Sequence, residues 1–181
     1  MRIISGIYRG RQIRPPSGLP VRPTTDFAKE GLFNVFHSLI DLEGLVILDL
    51  FAGTGSISYE FISRGAGEVT AVDTHPGCIR FIGETAARLK AENLHAVRID
   101  AFRFISTSKK RFDIIFADPP YDWEALETLP GRILASGLLK EGGELILEHS
   151  GKYDLSGEPG FLRKKTYGNV NFSFFCLPSG E

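Results

Sequence analysis

The sequence predicts an α/β fold: a mostly parallel sheet with helices on both faces and an antiparallel hairpin at its C-terminal edge. Three observations predict it. Short apolar runs recur between residues 45 and 150, and they are too uniformly apolar for one face to lie in water. Helical stretches separate these runs, the order expected of strands linked by crossovers. The tail "RKKTYGNVNFSFFCL" then reads as two strands joined near Gly168-Asn169, a hairpin signal.

Taken in order, "MRIISGIYRGRQIR" places β-branched residues around Gly6 and Gly10, which suits a short hairpin. Pro15, Pro16, Gly18, Pro20 and Pro23 then form a stiff linker. "TTDFAKEGLFNVFHSLI" reads as a helix, because Ala28, Leu32, Val35, Phe36 and Leu39 follow the 3.6-residue period. Thr25 or Asp26 can cap it, and Glu30 lies near its positive end. Five strands follow: "LVILDL" (45–50), "EVTAVD" (68–73), "AVRID" (96–100), "FDIIFAD" (112–118) and "GELILEHS" (143–150). The stretches 56–64, 76–92, 101–107 and 123–136 between them read as helices. The chain thus divides into a basic hairpin and linker, residues 1–23, and a main domain, 24–181.

The 181 residues suffice for a sizeable core, and 43% hydrophobic with 24% charged residues is ordinary for a globular protein. No apolar run approaches the ~20 residues that span a membrane. The first residues lack the apolar centre of a signal peptide, and Gly6, Gly10, Pro15 and Pro16 would break a transit helix, so a cytoplasmic protein is expected. Cys78 and Cys176 form no CxxC pair and read as two buried thiols. His37, His75, His95 and His149 show no metal-ligand spacing, so no metal is expected. Net charge is −1, yet residues 1–25 carry Arg2, Arg9, Arg11, Arg14 and Arg22 and no acid. Such an arm fits an anionic partner on one side of the protein or a merely solvated loop; charge alone leaves both open.

Four strands carry an aspartate at the carboxyl end: Asp49, Asp73, Asp100 and Asp118. Ligands of open α/β sheets bind outside those ends. One aspartate there is ordinarily an N-cap for the next helix, whereas four in register line a rim with carboxylates. After the first strand comes "DLFAGTGS" (49–56), where Gly53 and Gly55 let backbone approach a ligand that a Cβ would strike. A dinucleotide fingerprint would have glycine where Ser58 stands, which weighs against NAD and FAD. Asp73 lies 18 residues beyond Gly55, where a carboxylate can accept both hydroxyls of an adenosine ribose. No P-loop motif is present. S-adenosylmethionine (SAM) fits these features: it has adenosine, no phosphate, and cationic sulfonium and ammonium groups. Asp49 would face its amine, Asp73 its ribose and Asp100 the adenine amino group.

"FADPPYDW" (116–123) follows the fourth strand. Two prolines fix φ and donate no backbone hydrogen bonds, so Asp118-Pro119-Pro120-Tyr121 is a stiff, acceptor-rich turn. A nucleobase amine is a poor nucleophile because its lone pair is delocalised into the ring. Fixed acceptors, the Asp118 carboxylate and the Pro119 carbonyl, can draw its N–H groups out of conjugation without reorganising. The Tyr121 ring offers a stacking face for a flipped base.

"MRIISGIYRGRQI", "RPTTDFAKEGLFNVF", "LDLFAGTGS", "VTAVD", "DIIFADPPYD" and "YGNVNFSFF" together resemble the RsmD-type methyltransferases, in order and with matching spacing from Met1 to about Leu177. The resemblance implies a Rossmann-like class I SAM-dependent methyltransferase over 24–181, with a seven-stranded sheet whose last two strands are antiparallel. It implies SAM as sole cofactor and N2 of a guanine in 16S rRNA, within an assembling small ribosomal subunit, as target. It further implies that Asp49, Phe51, Ala52, Gly53, Gly55 and Asp73 hold SAM, that Asp100 and Ala101 border adenine, and that Asp118, Pro119, Pro120 and Tyr121 hold the guanine. Arg9, Arg11 and Arg22 are the expected RNA contacts, and a monomer is favoured. The family's helix after "RPTT" commonly reads Arg-Val-Arg/Lys-Glu-Ala; here Phe27 replaces the arginine and Gly31 the alanine.

Four other readings fit less well. A DNA adenine-N6 methyltransferase shares DPPY but needs a sequence-reading module, and only 62 residues separate Gly55 from Asp118. Glutamine-modifying protein methyltransferases favour Asn at position 118. A non-catalytic RNA-binding scaffold of this fold has no use for Asp73 or DPPY. A dehydrogenase lacks the third glycine.

Overall fold

A computed structural model describes residues 1–19 and 26–177, the side chains of residues 37–39 aside. Its centre is a seven-stranded sheet in the order β3-β2-β1-β4-β5-β7-β6. The strands are β1 (Val46–Leu50), β2 (Glu68–Asp73), β3 (Leu94–Arg98), β4 (Phe112–Ala117), β5 (Leu139–Ser150), β6 (Phe161–Tyr167) and β7 (Val170–Phe175). The first five run parallel; β7 lies antiparallel to β5, and β6 to β7. The helices are α1 (Asp26–Leu39), α2 (Ser56–Ser63), α3 (Pro76–Leu89), α4 (Ala101–Thr107) and α5 (Leu129–Ala135). Strand order reverses between β1 and β4, and a crevice opens at such a switch point.

The uniformly apolar strands are explained by two cores. On one face Ile47, Ala71, Ile114, Phe116 and Ile146 pack against α1, α2 and α3. On the other, Leu48, Leu50, Val72, Ile115, Ala117 and Leu147 pack against α4 and α5. Successive strand residues alternate between these faces. Asp49, between Leu48 and Leu50, therefore points toward α2, and Glu148, after Leu147, points to the same side.

Several expected boundaries move. β3 runs from Leu94 to Arg98 and not 96–100, so Asp100 lies beyond the strand and caps α4 by accepting the Arg103 amide at 3.0 Å. β5 starts at Leu139, earlier than residue 143; a pairing irregularity opposite Phe112–Ile114 carries it through Lys140 to Gly143, charged and glycine residues that mask a strand. The helix expected over 123–136 is shortened to Leu129–Ala135, with Pro130 in its first turn. α3 stops at Leu89 because Lys90 adopts a left-handed conformation (φ 57°). Both cysteines are free, but only Cys78 is fully buried.

The N-terminal hairpin lies along α2. Its arms are paired through Ile3 to Arg11 and Ile13 to Met1, with an Arg2–Gln12 bridge. Its turn is tied to the end of α2: the Ile7 amide donates to the Ser63 carbonyl at 2.7 Å and the Tyr8 amide to Ser63 Oγ at 3.0 Å. Gly6 is needed there, since φ is +82° and a Cβ would lie 1.7 Å from the Ser63 carbonyl oxygen. Between hairpin and helices sits a buried ion pair, Lys29 Nζ to Glu60 Oε1 at 3.3 Å. Lys29 also donates to the Arg2 carbonyl, and Glu60 accepts the Ile4 amide.

Phe27 and Gly31 prove to be one arrangement. Gly31 faces the Tyr167 ring so closely that a Cβ would lie 2.5 Å from it. The ring thus seated on α1 meets Phe27 edge to face, centroids 6.2 Å apart. No helix among the described residues is long and apolar enough to cross a membrane.

Candidate active site

The glycine loop leaves β1 through a strained residue. Phe51 has φ 62°, a left-handed conformation that costs a non-glycine residue about 1–3 kcal/mol and that clusters at functional sites. The Ala52 amide donates to the Val72 carbonyl at 2.9 Å, which folds the loop over the end of β2. Gly55 follows with φ +81°, and a Cβ there would lie 2.8 Å from the Tyr59 ring. The loop opens directly into α2.

Asp73, the last residue of β2, holds this loop from the other side. Its Oδ2 accepts the Gly53 amide at 2.9 Å and its Oδ1 the His75 amide at 2.8 Å. Each oxygen keeps a further lone pair for a ribose hydroxyl. Asp49 is buried and accepts from Ser58 Oγ at 2.5 Å. Burial raises its pKa most, and the like charges of Asp118 and Asp73 add to this; against the Ser58 hydrogen bond they lift it to about 7. Ser58, where a dinucleotide site would have glycine, is thus a partner for the first carboxylate.

Asp118 begins the DPPY turn beside this loop. Its amide donates to the Leu50 carbonyl at 3.3 Å, so β1 and the turn meet at the switch point. Pro119 is buried, Pro120 is exposed, and the Pro120 carbonyl accepts the Trp123 amide at 2.9 Å. Tyr121 is fixed at two points: its carbonyl accepts from the Tyr153 hydroxyl at 3.0 Å, and its hydroxyl donates to Glu148 Oε1 at 3.3 Å. Trp123 ties the turn to the cofactor side, edge-on to Phe51 (5.1 Å) and stacked on Phe102 (4.9 Å), which follows Ala101.

Glu148, Tyr153 and Trp123 extend the expected site. A glutamate inside the apolar run "LILEH" is the signal for the first of them. Burial, then the charge of Glu148, raises Asp118 well above the usual carboxylate range. Burial and the charge of Asp49 raise Glu148 to about 7, against the Tyr121 bond that lowers it. The structure brings together Asp49, Phe51, Ala52, Gly53, Gly55, Asp73 and the DPPY turn. Asp100 is exposed and spends one oxygen on its helix cap, while Ala101 is buried beside it. Arg9 and Arg11 are exposed on the hairpin; Arg22 lies outside the described residues.

No ion pair among the described residues involves Asp49, Asp73, Asp118 or Glu148. Buried carboxylates without a cation ask for a cationic ligand. A cationic ligand at this rim would meet that demand, and the loop glycines leave room beside it.

Sheet order, antiparallel last strands and a ligand rim at the β1–β4 switch define a class I SAM-dependent methyltransferase. The family described as "Conserved hypothetical protein 95", the RsmD family, matches residues 1–176, and the chain belongs to it. Ribosomal RNA small subunit methyltransferase D of Escherichia coli is 30% identical over 179 residues, covering 97% of this chain and 89% of that protein. YlbH of Bacillus subtilis, provisionally named an rRNA methyltransferase, is 36% identical over 182 residues, with 97% and 98% covered. Among solved structures, Thermus thermophilus RsmC, a 16S rRNA N2 G1207 methyltransferase in complex with AdoMet and guanosine, shares the fold (TM-score 0.69, 20% identity, 87% of this chain and 44% of that one). SAM is the cofactor, and the chain is a methyltransferase.

Proposed function

We propose that this protein transfers a methyl group from SAM to the exocyclic N2 amine of a guanine in 16S rRNA, within an assembling small ribosomal subunit in the cytoplasm. One observation carries the reading: the Asp118 turn is fixed to the end of β1, beside the loop that Asp73 holds, so an amine acceptor and a cofactor cradle share one crevice. The relatives' names supply the rRNA class. Residues between Gly55 and Asp118 form only α2, β2, α3, β3, α4 and β4, which leaves no space for a DNA-reading module.

When bound, SAM would supply an electrophilic methyl group, its methyl–sulfur bond breaking as the new bond to nitrogen forms and the electron pair leaving on sulfur as a neutral thioether. Asp49 and Asp73, with the loop amides, orient it. Tyr121 stacks the flipped base, and Asp118 with the Pro119 carbonyl accepts the amine's hydrogens, so the nitrogen lone pair is free to attack in line. Proton loss from the methylated amine follows, and Asp118 is placed to take it. Its raised proton affinity suits that role.

Arg9 and Arg11 would contact phosphates and set orientation, not sequence. The hairpin turn sits beside Ser63, at the opposite end of α2 from the glycine loop, about 10 Å away at 1.5 Å per residue. These contacts therefore fall outside the base pocket.

The test is mass mapping of methylated nucleosides in rRNA from cells lacking this protein. Loss of one N2-methylguanosine from 16S rRNA, restored by the purified protein acting on the deficient subunits, is the expected result. An unchanged 16S map with a mark missing elsewhere would replace the proposed substrate.

A further inference from the structure

We propose that Glu148 reads the target base: its carboxylate accepts the N1–H of guanine while Asp118 accepts from the N2 amine, so that the two acids together select guanine over adenine. This rests on the guanine-N2 reading above and names how that site recognises its substrate.

Register places the two acids side by side. Ala117 of β4 pairs with Leu147 of β5, so Asp118 and Glu148 are each the next residue toward the rim. Adjacent strands stand about 4.8 Å apart. Guanine presents two donors side by side on its Watson–Crick edge, N1–H and N2–H, and two neighbouring acceptors match them. Adenine has an acceptor at N1 and so offers a carboxylate no hydrogen there.

Glu148 has capacity that its structural role does not use. It is 3% exposed and lies between Leu147 and His149, whose side chains leave the strand on the opposite face. Oε1 takes the Tyr121 hydroxyl, but Oε2 is buried with no hydrogen-bond partner among the described residues. A buried acceptor left without a donor is costly, and anchoring Tyr121 needs only one oxygen. The charged groups acting on it, Asp118 and Asp49, are acids, and its partner across β7 is Phe172. No cation of the described residues satisfies it, so the missing donor comes with the substrate. A base reaching Glu148 displaces the Tyr121 hydroxyl, and the ring, still held by Tyr153 at its backbone, becomes the stacking face.

The test is methylation of small subunits from cells lacking this protein, comparing wild type, Glu148→Gln, Glu148→Ala and Asp118→Ala, with SAM affinity measured by calorimetry. Glu148→Gln keeps volume and one oxygen for Tyr121, but turns an amide NH2 toward the N1–H of guanine. Its kcat/KM should fall about ten- to a hundred-fold, the effect of one charged hydrogen bond, with SAM affinity unchanged and a melting temperature no lower than that of wild type. Glu148→Ala should be at least as poor. If Glu148→Gln stays within about threefold of wild type while Asp118→Ala is silent, Glu148 only anchors Tyr121 and this inference falls, with the guanine-N2 reading intact. If wild type leaves the subunits unmodified, that reading falls and takes this inference with it.

Discussion

The Gly53 amide donates to Asp73 Oδ2 at 2.9 Å, so the carboxylate that ends β2 also holds the glycine loop that follows β1. Removing Asp73 therefore loosens the loop and, on the proposed reading, takes away a ribose acceptor in the same step. Asp73→Ala should weaken SAM binding by about 1–3 kcal/mol, the cost of unpaired buried polar groups. Asp73→Asn, which keeps one acceptor oxygen, should fall between. Calorimetry gives both values, and unchanged affinity in Asp73→Ala would remove Asp73 from the cofactor site.

Asp49 and Glu148 make stability depend on pH in a defined direction. Both titrate at about 7 in the folded protein, against about 4 for ordinary carboxylates. Between those values the folded protein keeps protons that the unfolded chain has released. Their contribution is full below about 4 and is lost as pH rises through about 7. Asp49→Asn should flatten this fall and raise stability at neutral pH by at least about 1 kcal/mol, roughly 2–4 °C in Tm for a chain of this size. SAM should respond oppositely, binding wild type more tightly as pH rises through about 7, because its cation favours ionised Asp49. Melting curves and titrations across that window check both trends.

Tyr121 is more than a stacking ring. The sequence assigns it a face for the base, which phenylalanine would also supply; the structure adds the hydroxyl's bond to buried Glu148. Tyr121→Phe should cost roughly 1 kcal/mol of stability, since it strips Glu148 of a donor. Tyr121→Ala should in addition lose the platform, about 1–3 kcal/mol of base binding. Chemical denaturation and subunit-binding curves separate the two effects; identical denaturation of wild type and Tyr121→Phe would leave the hydroxyl without a role.

The arginine arm is testable through salt. Replacing Arg9, Arg11 and Arg22 should weaken RNA binding and flatten its dependence on log salt by roughly 0.7–0.9 per lost contact. Replacing Arg9 and Arg11 alone should leave SAM affinity unchanged, because the hairpin turn lies at the far end of α2. Normal methylation of subunits by the triple variant at physiological salt would make the arm purely structural.

The fold was legible wherever burial on both faces left an uninterrupted apolar run. β2 was read to the residue, and β4 to within one. The rim acids were legible because they end such runs. Glu148 had only a weak signal, its place inside the apolar run "LILEH", because strand period alone does not distinguish a buried acid from a solvated one. Lys29 was hidden for a related reason: a lysine on a helix reads as solvated, yet Glu60 and the Arg2 carbonyl hold it in the interior. The early start of β5 was masked by Lys140, Glu141 and two glycines, whose composition marks a loop. The substitution at Phe27 looked like a lost charge alone; only the Tyr167 ring shows that Phe27 and Gly31 belong together.

The central claim is that the Asp118 turn activates an amine by positioning it, and single-turnover methylation of small subunits lacking the mark tests it most directly. Asp118→Ala should lower the rate by about 10²–10³, by analogy with loss of one preorganised hydrogen-bonding group, while SAM affinity stays intact. Asp118→Asn keeps shape and one acceptor oxygen. It should retain partial activity if acceptance alone suffices, and approach Asp118→Ala if the charge must take the proton. An Asp118→Ala protein that methylates subunits at the wild-type rate would contradict the mechanism and reduce the turn to a structural element.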